Sequence, residues 1–338
     1  MTFLDRPIAD HVDFPSRSRA VPRRSDPKPV RRTTKRLSLA LQGGGAFGAF
    51  TWGVLDRLLE EKTIAFDAVS GASAGTMNAV LLASGLAQGG PDEARARLER
   101  FWRKVSDAGR PSRLASGNAA LNAIAPRMSP YQFNPLDMNP LRDILAAEVD
   151  FDTVRTNASV RLLLGTTRVS DGALRIFRNK DITLDVVLAS ACLPHASQAV
   201  SIDGEPHWDG GYAANPPLIP LVAATKASDV LVVQIIPSHS FELPKTSPEI
   251  DKRLGQITFS SSLQKDLEAL SMMTKLSRAE GEASHSRLGR KLQRLQLHRI
   301  SASDHVDDLA ASSFGDTGWA FLSHLRNQGR LAAETWLM

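Results

Sequence analysis

Cysteine is almost absent from this chain of 338 residues, where Cys192 is the single example. One cysteine cannot form an internal disulfide, and it excludes a zinc site built from several cysteines. No group of His, Asp and Glu residues has the spacing of metal ligands either. The sequence therefore predicts neither a metal nor another cofactor, and the lack of a disulfide suits a reducing compartment.

Long apolar runs are missing as well. No stretch approaches the ~20 uninterrupted apolar residues that a membrane-spanning helix needs, and the N-terminus lacks the apolar core of a secretory signal. We therefore expect a protein of the cytoplasm or of a membrane periphery. Apolar residues make up 42% of the chain and charged residues 23%, a balance that suits one large or two ordinary globular domains.

Positive charge is concentrated in the first 36 residues, which hold ten Lys or Arg against four Asp or Glu. Proline and repelling charges in RSRAVPRRSDPKPVRRTTKR, 17–36, give this segment little reason to order. We interpret residues 1–36 as a solvated leader, and the alternative is an anchor for an anionic membrane surface. No aromatic residue lies among these basic residues, so the sequence predicts no nucleic-acid partner. The sequence gives no indication of the oligomeric state.

Hydrophobic periodicity predicts an α/β fold, in which helices cover both faces of a mainly parallel central sheet. Asp171-Gly172 and Asp203-Gly204 predict the turns of two hairpins. The other predicted strands are 36–42, 66–71, 229–235 and 295–300, and the predicted helices are 48–61, 73–87, 92–107, 183–191, 249–287 and 317–337. We expect a catalytic domain at 37–222 and a strand and helical extension at 223–338 that packs on it.

Two apolar segments allow more than one interpretation. In the helix at 249–287 we expect an apolar stripe to face the core rather than a lipid; the stripe consists of Phe259, Leu263, Leu267, Leu270, Met273 and Leu276. Residues 108–140 are irregular, and a long irregular segment is often functional. Its apolar residues are predicted to line an acyl-chain pocket or form a cap, with core packing as the alternative: Leu114, Leu121, Ile124, Met128, Tyr131 and Phe133.

A glycine-rich loop follows the first predicted strand and raises the question of a nucleotide. Gly43, Gly45 and Gly48 fit the G-x-G-x-x-G pattern of a dinucleotide-binding turn. Such a site needs an acidic residue at the end of the second strand, whereas Asp67 lies at its start. The loop also lacks the Lys and the Ser or Thr of a P-loop. We therefore expect this loop to bind an anion other than a nucleotide.

The second predicted strand ends in Gly71-Ala72-Ser73-Ala74-Gly75, which fits the G-x-S-x-G pattern of a nucleophile elbow. Gly71, Ala72, Ala74 and Gly75 are the small neighbours that such a sharp turn requires. The turn lifts the Ser73 hydroxyl clear of the backbone at the N-terminus of a helix. Ser73 is therefore a candidate nucleophile.

The two loops follow neighbouring parallel strands, so we expect them at the same edge of the sheet. The backbone N–H groups of Gly43, Gly44, Gly45 and Ala46 would then form a cradle for an anion. Beside a nucleophilic serine, that anion is the oxyanion of a tetrahedral intermediate. The alternative is that the glycines only allow a helix and the sheet to pack closely.

The nucleophile needs a base, and Asp209 is the candidate. It ends a predicted strand and is followed by Gly210 and Gly211, which let a partner approach its carboxylate closely. A carboxylate with a pKa of ~3.9 is a poor base for a hydroxyl, so Asp209 must be partly desolvated. None of the seven histidines after Ser73 lies in a recognisable loop after a late strand. A turn without chemistry is the alternative for Asp-Gly-Gly.

The motifs GGGAFG, GASAG and DGG, in this order, resemble those of the patatin-like phospholipase family over residues 38–222. The resemblance implies a Ser-Asp dyad without histidine, with Ser73 as nucleophile and Asp209 as base. It also implies an oxyanion loop at Gly43–Gly48, in which Phe47 departs from the Arg or Lys that many members carry. That departure bears on the preference for a headgroup.

By this resemblance we expect a lipid acyl hydrolase of the phospholipase A or lysophospholipase type, acting on a lipid or acyl-ester substrate through an acyl-serine intermediate. One alternative is a small-ester or thioester hydrolase of the same mechanism. The other is a lipid-binding module without catalytic activity.

Overall fold

The computed structural model describes residues 34–109, 128–157, 159–239, 243–279, 286–306, 309 and 313–338. Most of the predicted leader therefore lies outside the described residues. Described strands join in one sheet of eight: β1 Lys35–Leu41, β2 Ile64–Gly71, β3 Arg161–Arg168, β4 Leu174–Arg178, β5 Val200–Ile202, β6 Glu205–Asp209, β7 Asp229–Gln234 and β8 Gln296–Ser301.

Parallel pairing dominates the sheet, as predicted. The strand order is β5-β6-β3-β2-β1-β7-β8, and β4 pairs with β3. The five strands from β3 to β8 in this order are parallel, whereas β4, β5 and β6 pair in antiparallel fashion. Both predicted hairpins are confirmed, because β3 pairs with β4 and β5 with β6.

Helices cover both faces of this sheet. Within the described residues they are α1 Gly48–Leu58, α2 Ala74–Ala108, α3 Pro130–Phe133, α4 Pro140–Glu148, α5 Phe151–Thr156, α6 Leu184–Ser190, α7 Leu218–Ala224, α8 Ser247–Ala279, α9 Arg287–Arg294 and α10 Trp319–Leu337. Successive residues of one strand enter two different hydrophobic clusters, Leu39 one and Ala40 the other. This alternation is what a sheet buried on both faces requires.

The chain reverses its direction inside α2, at the point where the sequence predicts a gap between two helices. Gly90 has φ 76° and ψ −159°, and Pro91 follows it. A Cβ on Gly85 would lie 2.3 Å from the Cα of Ala94, so the two halves pack closely. The Trp102 indole N–H donates to the Asn78 Oδ1 at 3.2 Å. The second half therefore returns to the start of the first, where Ser73 lies.

The long helix α8 confirms most of the predicted apolar stripe. Leu263 and Leu270 are buried, and Phe259, Leu267 and Met273 pack against the core. Leu276 is 58% exposed, so its assignment to the core is wrong. In this turn of α8 the buried residue is Ser277, so the inward face of the helix lies beside Leu276. The predicted helix extends to 287, and its residues 280–285 lie outside the described residues.

Residues after 222 contribute to the same sheet through β7 and β8, and α10 packs along α1. A Cβ on Gly53 of α1 would lie 1.9 Å from the Arg326 carbonyl oxygen of α10. Thr34–Met338 form one unit by their internal contacts; the subdivision at 222 stays a prediction. Among the helices described, none combines the length and apolar content that crossing a bilayer requires.

Candidate active site

The backbone of Ser73 has the conformation of a nucleophile elbow. Ser73 lies between the end of β2 and the start of α2 with φ 52° and ψ −126°, which is strained for a residue with a side chain. Its N–H donates to the Ser190 carbonyl oxygen at 2.9 Å and to the Ser190 Oγ at 3.1 Å. These bonds hold the turn in place from the end of α6.

The small residues of the elbow are required by close approaches of the backbone. A Cβ on Gly75 would lie 2.1 Å from the Leu41 carbonyl oxygen, and one on Gly71 would lie 2.7 Å from the Gly75 carbonyl. Ala72 and Ala74 are both buried. The spacing G-x-S-x-G therefore follows from two steric contacts, one between Gly75 and β1 and one within the elbow between Gly71 and Gly75.

Asp209 ends β6 inside the protein, with no exposed surface. Its Oδ1 accepts a hydrogen bond from the Gly211 N–H at 2.7 Å. Among the described residues, its Oδ2 has no hydrogen-bond partner. Burial raises the pKa of Asp209 to about 7, against smaller lowering effects from Gly211 and from the nearby Ser73 hydroxyl. The structure thus brings Ser73 and Asp209 together.

The two glycines that follow Asp209, Gly210 and Gly211, also have a steric role. A Cβ on Gly210 would lie 2.1 Å from the Gly165 carbonyl oxygen of β3. Gly211 is backed by the Phe259 ring, which a Cβ would approach to 2.4 Å. The Asp-Gly-Gly turn is therefore packed between β3 and α8.

In the glycine-rich loop, two of the predicted N–H donors are already engaged. The Gly43 N–H donates to the Asn215 Oδ1 at 2.6 Å, and the Ala46 N–H donates to the Phe314 carbonyl oxygen at 2.8 Å. In the part of the chain that the structure describes, the N–H groups of Gly44 and Gly45 have no acceptor. The candidate donors therefore narrow to Gly44 and Gly45.

Two glycines of this loop, Gly43 and Gly45, touch other parts of the site. A Cβ on Gly43 would lie 2.6 Å from the Ser73 Cβ, so the loop and the elbow are in contact. Gly45 has φ 55°, and a Cβ there would lie 2.4 Å from the Phe314 carbonyl oxygen. Only glycine satisfies both the positive φ and this approach.

Phe47 belongs to the core and not to the substrate surface. It has no exposed surface, and its ring makes edge contacts with Phe314 at 4.8 Å and Phe321 at 6.2 Å between centroids. Gly48 follows it, and its carbonyl oxygen accepts from the Asn78 side chain at 3.0 Å. The aromatic residue at position 47 thus fastens the loop to the C-terminal part of the chain.

A cavity of about 470 Å³ opens beside Ser73. Gly44, Gly45 and Ala46 lie in its wall, and the apolar part of the wall consists of Met77, Phe101, Trp102, Val105, Leu141, Leu193, Ile236, Phe259 and Phe314, among others. Its size is that of ordinary ligand pockets. The cavity therefore brings together the candidate nucleophile Ser73, the candidate N–H donors of the loop and an apolar chamber.

The prediction that residues 108–140 line this chamber is wrong for the part that is described, whereas the alternative that they form a cap stays a prediction. Tyr131 and Phe133 are 58% and 43% exposed, and Met128 is not in the cavity wall. The returning half of α2 occupies that place instead, because the reversal at Gly90 brings Phe101 back beside Ser73. Leu114, Leu121 and Ile124 lie outside the described residues.

Two other titratable residues, Asp67 and His207, form hydrogen bonds elsewhere in the fold. Asp67 accepts from the Thr225 hydroxyl at 2.9 Å and the Lys226 N–H at 2.7 Å, and it also pairs with Arg161. His207 is buried with its Nδ1 at 2.9 Å from the Thr166 hydroxyl. No histidine that the structure describes lines the cavity beside Ser73.

Three further residues hold the site together although the sequence analysis did not single them out. They are Ser190, which supports the elbow, and Asn215 and Phe314, which bond to the glycine-rich loop. Asn215 lies six residues after Asp209, so its proximity to a motif is a signal that could have indicated it. Phe314 lies in an unremarkable stretch, and no motif points to it.

The sequence model of the patatin-like phospholipase family matches residues 39–222, more than half of the chain. The chain belongs to the patatin-like phospholipase family. All three motifs of this patatin-like protein lie inside the matched residues. Membership supports a lipid ester hydrolase as the general class of the protein.

Individual relatives of this patatin-like protein are distant. The uncharacterized protein YjjU of Escherichia coli (strain K12) is 27% identical over 235 residues, which cover 68% of this chain and 59% of YjjU. The match thus spans less than two thirds of that relative.

Two solved structures show a low level of similarity to this chain. VipD from Legionella pneumophila has a TM-score of 0.34 and 18% identity, over 86% of this chain and 66% of VipD. The ExoU–SpcU complex from the type III secretion system of Pseudomonas aeruginosa has a TM-score of 0.33 and 16% identity. That match covers 90% of this chain and 72% of the matched chain. At these scores neither structure carries an argument about the substrate.

Proposed function

We propose that this protein hydrolyses acyl esters of lipids through an acyl-Ser73 intermediate, as a phospholipase A or lysophospholipase. The observation that carries the proposal is the meeting of three features at one cavity. Ser73 has the strained elbow conformation, Asp209 is buried beside it with an unpartnered oxygen, and the cavity that Ser73 opens into is apolar.

In this proposal Asp209 is the general base. As the Ser73 Oγ bonds to the ester carbonyl carbon, its proton passes to the carboxylate, for which the unpartnered Oδ2 is the candidate acceptor. The carbonyl π electrons move to oxygen and form the oxyanion. Collapse of this intermediate expels the alcohol, which takes the proton from Asp209. The raised pKa makes the carboxylate a stronger base than an exposed one.

The N–H groups of Gly44 and Gly45 are the proposed donors to the oxyanion. Both residues lie in the cavity wall with Ser73, and both N–H groups lack an internal acceptor among the described residues. Loss of one such donor typically lowers turnover by ~10²–10³. In deacylation, Asp209 would take a proton from a water molecule as the water oxygen bonds to the acyl carbon. The second tetrahedral intermediate would then collapse by breaking the bond between the acyl carbon and the Ser73 Oγ, which takes the proton from Asp209 as the fatty acid leaves.

The apolar chamber is the proposed site of the acyl chain. Each methylene that leaves water for such a wall contributes up to ~0.8 kcal/mol, or roughly fourfold in affinity. A small-ester hydrolase would gain little from a chamber of this size. The volume therefore favours a long acyl chain over the small-ester alternative.

The first test is covalent labelling with a fluorophosphonate probe. We expect labelling of the wild type, its loss in Ser73→Ala, and its loss in Asp209→Asn. Ser70→Ala is the matched control, because Ser70 is a buried serine of β2, the strand that leads into the elbow, and its hydroxyl has no hydrogen-bond partner among the described residues. Labelling that survives Ser73→Ala, in a protein with an unchanged melting temperature, would reject the nucleophile.

The second test separates lipid from small-ester hydrolysis. The specificity constant for p-nitrophenyl esters should rise with chain length from C4 until the chamber is filled, with Ser73→Ala as the blank. Phospholipid vesicles should also release fatty acid. A steady decline beyond C4 together with intact vesicles would favour a small-ester hydrolase. Binding of lipid by a wild type that is never labelled would favour a non-catalytic lipid-binding module.

A further inference from the structure

Asn215 is a buried residue whose side-chain amide contacts the glycine-rich loop. It has no exposed surface, and it is absent from the cavity wall. Its Oδ1 accepts from the Gly43 N–H at 2.6 Å, and its Nδ2 donates to the Gly43 carbonyl oxygen at 3.1 Å. Both polar groups of one glycine are therefore bound by one side chain, which lies 172 positions further along the chain.

This clamp fixes the direction of a neighbouring N–H group. The Gly43 carbonyl and the Gly44 N–H belong to the same trans peptide, in which the two groups point in opposite directions. With the carbonyl oxygen bound to Asn215, the Gly44 N–H must point away from Asn215. Gly44 lies in the cavity wall with Ser73, so the free donor is directed to the side where an ester would bind.

A clamp is needed at this position because the chain itself is permissive. Gly43 and Gly44 both lack a Cβ, so rotation of the peptide between them meets little steric resistance. The next peptide is held locally, since the Gly44 carbonyl oxygen accepts from the Phe47 N–H at 3.1 Å within the same turn. The peptide of Gly43 has no such local bond to its carbonyl and depends on Asn215.

Asn215 is itself held by α8. Its Nδ2 donates to the Phe259 carbonyl oxygen at 2.9 Å, and its own N–H donates to the Ser262 hydroxyl at 3.0 Å. The same Phe259 carbonyl receives a longer bond of 3.4 Å from the Gln42 side chain, which directly precedes Gly43. Both the side chain and the backbone of Asn215 are therefore bound to α8, which holds the amide in the position where it contacts the loop.

We infer that Asn215 is a positioning residue, which orients the Gly43–Gly44 peptide so that the Gly44 N–H faces the developing oxyanion. This inference rests on the proposed function. It also gives the Asp-Gly-Gly turn a second task, because the chain that carries Asp209 carries the orienting amide six residues later. One segment of the chain, from Asp209 to Asn215, would then position both the proposed base and the proposed oxyanion donor.

The test compares Asn215→Asp and Asn215→Ala with Ser262→Ala. Asn215→Asp keeps the size and an acceptor for the Gly43 N–H, but it replaces the donor to the Gly43 carbonyl with a repelling oxygen. Asn215→Ala removes both contacts. Ser262→Ala removes only the support of the Asn215 backbone and leaves the clamp on Gly43, so it is the matched control.

A positioning role predicts a loss in kcat and not in KM. For both Asn215 variants we expect kcat on a p-nitrophenyl ester to fall by roughly 10²-fold, as for loss of one oxyanion donor, with KM within about threefold. The affinity for an alkyl trifluoromethyl ketone, which forms an oxyanion on Ser73, should fall in parallel. The affinity for the matching alkyl ether, which cannot form one, should stay unchanged, and Ser262→Ala should resemble the wild type.

A purely structural role gives a different pattern. A lower melting temperature with kcat within threefold of the wild type, or equal losses of affinity for the ketone and the ether, would overturn the inference. If Asn215→Ala does not fold, Asn215→Asp decides the question by the same measurements. Failure of the proposed function is distinguishable, because the wild type itself would then resist labelling by a fluorophosphonate.

Discussion

Burial of the Asp209 carboxyl should lower the stability of the protein at neutral and alkaline pH. The carboxyl has no exposed surface, and burial raises its pKa from an ordinary 3.8 to about 7. Between these pH values the folded protein holds a proton that the unfolded chain has lost, so the free energy of unfolding falls as pH rises. Each unit of pKa corresponds to about 1.4 kcal/mol. About three units therefore give a penalty on the order of 4 kcal/mol, which is absent below pH 4 and complete above pH 7.

The substitution Asp209→Asn removes the ionisable group and keeps an oxygen for the Gly211 N–H. Between pH 5 and pH 8, the difference in free energy of unfolding should move in favour of the variant by about 3 kcal/mol, from two units at ~1.4 kcal/mol each. Any change in the free energy of unfolding that does not depend on pH is the same at both pH values and therefore cancels from the comparison. The assay is urea unfolding followed by tryptophan fluorescence at both pH values.

The exposed Asp92 provides the control, because Asp92→Asn removes a carboxyl from the protein surface instead of from the core. Parallel pH profiles for the wild type and Asp209→Asn would refute the burial argument. A variant that gains stability above pH 7 and loses activity would show that the site sacrifices stability for its chemistry.

Three further outcomes are expected. The specificity constant for a soluble ester should rise about tenfold per pH unit and level off near pH 7, because Asp209 has to be ionised if it is the base that we propose; a flat profile from pH 5 to 8 would contradict this. Gly43→Ala should lower activity at least 100-fold, since its Cβ would lie 2.6 Å from the Ser73 Cβ, whereas Gly315→Ala on the same cavity has no neighbour closer than 3.7 Å and should remain active. Val105→Trp should reduce turnover of C16 but not of C4 esters, as two displaced methylenes at ~0.8 kcal/mol each give roughly 15-fold; equal losses for both would place the acyl chain elsewhere.

The sequence predicts those parts of the site that depend on local steric demands. The elbow needs small residues within two positions of Ser73, and the turn after Asp209 needs glycines, so short motifs reveal both. The alternation of strands and helices predicts a parallel sheet, and this sheet places the loop of Gly43 and the elbow at one edge.

The remaining features depend on contacts between distant parts of the chain, which no short motif contains. Sequence patterns count every N–H of Gly43–Ala46 as available, but Asn215 and Phe314 occupy two of them from far along the chain. Sequence patterns also predict residues 108–140 as the chamber wall, because a contact between two distant halves of a helix leaves no local pattern. Periodicity predicts the two halves of α2, but it does not predict that Phe101 returns to Ser73.

The position of β7 limits how this catalytic unit can be exchanged between proteins. The family match ends at 222, yet β1 pairs with β7 through Leu37–Leu41, and the Gln42 Oε1 accepts the N–H groups of Ile235 and Ile236 at 2.8 Å each. Cutting the chain at 222 would turn β1 from an interior strand into an edge with unpaired backbone groups, which invites pairing with other chains. A recombinant fragment limited to the family match should therefore aggregate, and a chimera with a relative must take β7 from the same parent as β1.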